Sequence, residues 1–218
     1  GCLAIADGIS YLHDDGSGAA CQAGDQEIRQ SSGNIPGMAI VVGTLRVPRI
    51  GVGTSEKADR MSFAGKAVYI TGASSGIGLA LAKEFASRGA RLGVLARRED
   101  RLRQLCEEIR TTGGTIEYAV ADAGDRASMQ CAANSLKERL GVCEVMIANA
   151  GIGSSNTSMN LNVTDAEQVI RTNLLGPMYA FEAVFPDMLA RGSGHLVAVS
   201  SVAAFKGLPT SAASAESP

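Results

Sequence analysis

Gly72, Gly76 and Gly78 fall in the stretch TGASSGIG (71–78), spaced G-x-x-x-G-x-G, where a short apolar run meets a helix-like one. A pyrophosphate needs backbone N–H groups and the positive end of a helix nearby, and a Cβ in such a loop blocks its approach. Gly72 permits the turn, Gly76 the close approach, and Gly78 tight packing of helix on strand. Ser74 and Ser75 add hydroxyl donors for phosphate oxygens. No Gly-Lys-Ser/Thr follows, so this is not the loop of a nucleoside triphosphatase. The chemistry to expect is the binding of a dinucleotide.

The elements that must hold such a loop can be read around it. KAVYITG (66–72) is a short apolar run suited to a buried parallel strand. GLALAKEFASRGA (78–90) is a helix, RLGVLA (91–96) a second strand, and 98–114 an amphipathic helix with Leu102, Leu105, Cys106 and Ile109 on one face. Strands at 115–122, 143–151 and 195–201 alternate with helices at 126–141 and 164–192. Thr164 and Glu167 form a capping box for the last helix, and Pro177 and Pro186 should bend it or mark its limits. This alternation predicts an α/β fold, a Rossmann-type doubly wound parallel sheet with helices on both faces.

Composition narrows the function classes. The 218 residues are 45% hydrophobic and 19% charged, and a net charge of −2 argues against a nucleic-acid platform. Aromatic residues are 4% with no Trp, too few for base-stacking surfaces. The cysteines (Cys2, Cys21, Cys106, Cys131, Cys143) form no C-x-x-C pair, so neither metal nor disulfide is expected, and Cys106 and Cys131 read as small core residues in a reducing compartment. No apolar run reaches the ~18 residues of a membrane span, so no membrane partner is expected and the expected location is the cytoplasm.

Residues 1–60 differ from the rest. They have neither the basic start and apolar core of a signal peptide nor the acid-poor composition of a transit peptide, since Asp7, Asp14, Asp15, Asp25 and Glu27 are present. GMAIVVGTLRV (37–47) reads as one strand, with no partner pattern nearby. The expectation is a disordered or non-native leader over 1–60, a natural start at Met61, and one dinucleotide-binding domain over 61–218.

With these elements in order, residues 64–213 resemble the short-chain dehydrogenase/reductase family, through TGASSGIG (71–78), LARR (95–98), AD (121–122), NAG (149–151), RTNLLG (171–176) and LVAVSS (196–201). The resemblance implies hydride transfer between NAD or NADP and a carbonyl or secondary alcohol, in a chain that usually forms a homodimer or homotetramer. It makes Gly72, Ser74, Gly76, Ile77 and Gly78 the pyrophosphate loop, and has Asp122 receive the adenine amino group with Ala123 beside the ring. It runs Asn149, Ala150 and Gly151 along the ribose. NAD-using relatives carry an Asp at the place of Ala96; here Arg97 follows, suited to fork onto a 2′-phosphate, with Arg98 in reserve. That favours NADP(H), with NAD(H) as the alternative.

The family's catalytic set is Asn, Ser, Tyr and Lys. Asn173 and Ser201 match the first two, and Ser200 either helps the cofactor site or hydrogen-bonds locally. The resemblance places the Tyr at 214 and the Lys at 218, where this chain has Ser214 and Pro218. Serine is a far poorer acid than a phenol, and proline offers no cation. The expectation is a fold incomplete at its C-terminal end through truncation, with little or no turnover, and Leu174, Leu175, Met178, Phe181 and Phe185 partly exposed. The alternatives are a non-catalytic dinucleotide-binding module and an interaction protein that uses that helix face.

Overall fold

A computed structural model describes residues 2–6, 9–13, 40–47, 63–153 and 162–201. Its N-terminal strands are β1 (Cys2–Ala6), β2 (Ile9–His13) and β3 (Ile40–Val47). Then come β4 (Ala67–Thr71), α1 (Gly76–Ser87), β5 (Arg91–Ala96), α2 (Glu99–Thr111), β6 (Thr115–Val120), α3 (Arg126–Leu140) and β7 (Val145–Ala148). The described chain ends with α4 (Val163–Ile170), a π-helical turn (Arg171–Leu175), α5 (Gly176–Arg191) and β8 (Gly194–Ser201).

Strands β8, β7, β4, β5 and β6 lie side by side and parallel, which is the doubly wound sheet expected. β4 and β7 are buried along their whole length because helices cover both faces. Alternate residues of β4 feed two separate layers. Tyr69 packs with Met129 and Leu136 of α3 and Met188 of α5, while Val68 and Ile70 pack with Phe85 of α1 and Leu102 and Leu105 of α2. Each large apolar side chain buried this way stabilises the fold by about 1.5–3 kcal/mol. The chain runs outward from β4 through β5 to β6, then α3 returns it to β7 on the other side of β4. Loops leaving the carboxyl ends of β4 and β7 therefore part there, and this opens a crevice.

The predicted strand at 37–47 does find a partner. β3 runs antiparallel to β8, and β2 and β1 continue the sheet beyond it. The β3–β8 partners are 147 to 161 positions apart, from Val47 opposite Gly194 to Ile40 opposite Ser201, which no local pattern could announce. At the opposite edge, arginines from the two helix layers reach over β6. Arg110 Nη2 donates to the Ile116 carbonyl at 2.8 Å and Arg139 Nη2 to that of Tyr118 at 3.0 Å, and the Glu117 carboxylate ties both guanidinium groups together. Such side chains blunt an edge against strand addition.

Three local expectations need correction. Asn162, rather than Thr164, caps α4, accepting from the N–H groups of Thr164 and Asp165 at 3.1 and 3.4 Å. The single helix expected over 164–192 is interrupted by the π-helical turn, because Pro177 has no N–H to give the carbonyl of residue 173. Cys131 is exposed on α3, whose buried stripe is Met129, Ala132, Ala133, Leu136 and Leu140; the helical period turns residue 131 outward. On α5 and the turn before it, Leu174, Leu175, Phe181 and Phe185 are half-buried and Met178 is exposed. Among the described residues no helix is long and apolar enough to cross a membrane, and no group of three or more His, Cys, Asp or Glu is placed to hold a metal ion.

Candidate functional site

A cleft of about 680 Å³ opens at the carboxyl ends of the parallel strands. It is lined by Gly72, Ser74, Ser75, Ile77, Arg97, Arg98, Asp122, Ala123, Asn149, Ala150, Gly151, Asn173 and Ser201. The described site residues named from sequence thus come together, apart from Gly76 and Gly78, which stand behind the lining. Ser214 and Pro218 lie outside the described residues.

The loop after β4 is shaped by its glycines, though not all for the expected reason. Gly72 has φ +69°, and a Cβ there would stand 2.7 Å from the Ala150 Cα. Gly76 has φ +56°, a conformation that favours glycine, and open space where its Cβ would be. Gly78 was expected to allow helix–strand packing. Its missing Cβ instead makes way for the loop itself, since a Cβ would lie 2.5 Å from both the Asn149 Nδ2 and the Gly72 carbonyl oxygen.

Thr71 and Asn149 lock the loop to the end of β7. Thr71 Oγ1 accepts from the N–H groups of Asn149 and Ala150, each at 3.0 Å, and Asn149 Nδ2 donates to the Thr71 carbonyl at 3.0 Å. Sequence reading had left Thr71 out of the site, because a hydroxyl before a glycine loop carries no signal until its partner on another strand is known. Ile152 and Thr172 line the cleft as well and were also missed. Their adjacency to Gly151 and Asn173 was the only clue.

The two arginines differ. Arg98 Nη2 donates to Ser74 Oγ at 3.0 Å and to Ser75 Oγ at 2.7 Å, so both serine oxygens accept from a guanidinium while each O–H stays available as a donor. Arg97 is exposed at the rim. Ser75 occupies the N-cap of α1 without making a side-chain cap bond, and the first turn holds no acidic residue. The positive end of α1 is therefore left to an anion. Asp122 turns one carboxylate oxygen back to accept from Gly124 N at 2.9 Å, beside the buried Ala123.

At the other end of the cleft Asn173 sits in the π-helical turn and braces the chain leaving β7. Its Oδ1 accepts from Ile152 N and its Nδ2 donates to Ile152 O, both at 2.9 Å. Ser201 ends β8 and is exposed. Ser200 Oγ is shielded from solvent and has no hydrogen-bond partner among the described residues.

The chain is similar to known proteins. A family model described as short chain dehydrogenase matches residues 66–215. An uncharacterized oxidoreductase of Listeria monocytogenes is 36% identical over 149 residues, which are 68% of this chain and 60% of that protein. Short-chain dehydrogenase/reductase 3 of Bos taurus is 35% identical over 143 residues, 65% of this chain and 47% of the relative. Among solved structures, a gluconate 5-dehydrogenase from Burkholderia cenocepacia in complex with NADP and tartrate superposes with a TM-score of 0.67 at 30% identity, covering 73% of this chain and 62% of that one. A short chain dehydrogenase/reductase from Burkholderia phymatum in complex with NAD gives 0.66 at 25% identity, covering 72% and 56%.

Proposed function

This chain belongs to the short-chain dehydrogenase family, matched over residues 66–215, and from that premise we propose that it binds NADP(H) in the cleft, in a site evolved to reduce a carbonyl or oxidise a secondary alcohol. The cofactor supplies or accepts the hydride. The chain's own part is to bind and orient. The first turn of α1 and Gly76 receive the pyrophosphate, Asp122 and Ala123 flank the adenine, and Asn149 to Gly151 follow the ribose. Asn173 braces the loop after β7, and Ser201 offers its hydroxyl to the substrate oxygen. Solved relatives with bound NADP and with bound NAD support a nicotinamide dinucleotide in general.

The single observation that carries the NADP reading is the Arg98 clamp on Ser74 and Ser75. It holds a cation at the rim of the phosphate loop, and Arg97 adds a second one beside it. Fluorescence titration tests this. Arg98→Ala should weaken NADPH binding about tenfold to a hundredfold, the worth of a charged hydrogen bond, and leave NADH nearly unchanged. Equal loss for both cofactors would remove the preference, and no saturable binding by the folded chain would remove the dinucleotide.

Ser214 and Pro218 favour a second reading, a dinucleotide-binding module without turnover. Losing general acid catalysis lowers a rate by about 10²–10⁴. NADPH oxidation over a panel of carbonyl compounds separates the two. Saturable binding without turnover supports the module, and turnover near that of an intact relative supports the enzyme.

A further inference from the structure

We propose that strand β3, which lies outside the family-matched stretch, is the segment that positions Ser201. β7 pairs with β8 only from Val145 opposite His195 to Ala148 opposite Ala198. β3 pairs with β8 along its full length, from Val47 opposite Gly194 to Ile40 opposite Ser201. Val199, Ser200 and Ser201 therefore reach past the end of β7, and the strand beside them is β3, with Val42, Val41 and Ile40 opposite. β2 in turn steadies β3, with Ile9 opposite Gly43 and Ser10 opposite Val42.

The consequence for Ser201 follows from the pleat. Successive side chains of a strand alternate between faces. Val197 and Val199 pack against the layer that holds α1 and α2, so Ser201, two residues further, emerges on that same side. Its direction is fixed only while residues 199–201 stay extended. Take β3 away and the strand pairing of β8 ends at Ala198, opposite Ala148 of β7, three residues short of Ser201. A sheet edge offers the same row of donors and acceptors to any suitable strand, so residues 40–47 act here as an added strand from within the same chain.

The inference rests on reading Ser201 as the hydroxyl that meets substrate, but its test does not require activity. Backbone ¹⁵N relaxation on the full chain is compared with Val41→Pro and Val42→Pro variants, because alternate N–H groups of β3 face alternate neighbours and one substitution must break the β8 side. Order parameters at Val199, Ser200 and Ser201 should fall from about 0.85 to below about 0.6, with Leu196, Val197 and Ala198 held near their starting values. A synthetic peptide of residues 36–50 should restore the order. Unchanged values at 199–201, or an equal fall along all of β8, would overturn the proposal. If the proline variants do not fold, disulfide trapping in the full chain decides. Gly43→Cys with Ala198→Cys should oxidise readily and Gly43→Cys with Leu196→Cys should not, and failure of the first pair would overturn it. NADPH titration of the same samples reports on the cofactor reading separately, and should be unaffected by the proline substitutions.

Discussion

At the glycine-loop end of the cleft Thr71 is 3% exposed and its hydroxyl receives two backbone N–H groups, while at the β8 end Ser201 is exposed and Ser200 Oγ has no partner among the described residues. The first end is fixed several times over. Gly72, Gly78, Thr71 and Asn149 meet within one turn of chain on each side, so no single torsion moves without a clash or a lost bond. At the second end the outer neighbour of the strand comes from the far N-terminus. The two ends of the cleft are thus separately supported in this chain. A change that disturbs one need not disturb the other.

The comparison can be broken by substitution. Gly78→Ala should have the largest effect, because its Cβ would meet the Gly72 carbonyl oxygen at 2.5 Å and backbone cannot move aside. We expect a loss of about 3 kcal/mol, the upper part of the overpacking range, and loss of NADPH binding, read by thermal denaturation and fluorescence titration. Thr71→Val should come next. It keeps the shape but leaves the N–H groups of Asn149 and Ala150 without their acceptor, at about 2 kcal/mol. Ser201→Ala is the counterpart at the other end and should change stability by less than about 0.5 kcal/mol, as exposed positions do. Equal losses in Thr71→Val and Ser201→Ala would erase the contrast.

The smallest expected effect is a dependence on alkali. Cys106 lies in the layer between the sheet and α2, and burial pushes its thiol up from 9.0 to about 11. Below about pH 9 the thiol is neutral folded or unfolded, and its contribution is complete. Between about pH 9 and 11 the unfolded chain releases the proton while the folded chain still holds it, so stability falls across that window. Burial also raises Tyr69 and Cys143, so the fall is shared. Urea denaturation at pH 8 and 10.5 checks it. Cys106→Ala should shrink the loss between the two pH values, and an unchanged loss would contradict the assignment.

How far could these features be read in advance? The parallel strands and their helices were legible because each is a local pattern, an apolar run or a stripe such as Leu102, Leu105, Cys106 and Ile109, all buried as expected. The loop glycines were legible too. The reason for Gly78 was not, since its constraint comes from Asn149, seventy-one positions along the chain. Cys131 was misplaced because a small residue on a helix fits either face, and Thr164 because Asn162, two residues earlier, takes the cap with its amide oxygen. Which of Arg97 and Arg98 reaches the two serines also needed coordinates. Adjacent residues leave a strand end in different directions, and only one of them finds the two serines.

Sequence by itself determined the order of the parallel strands and their helices, the family, many of the residues that line the cleft, and the serine and proline at positions 214 and 218. Those follow from side-chain chemistry and short-range periodicity, which act between near neighbours in the chain. Tertiary structure alone decided which arginine holds the phosphate loop, why Gly78 must lack a side chain, and that residues 40–47 border the end of β8. Hydrogen bonds and van der Waals contacts act over a few ångströms of space whatever the distance along the chain, and that pairing of distant residues exists only after folding.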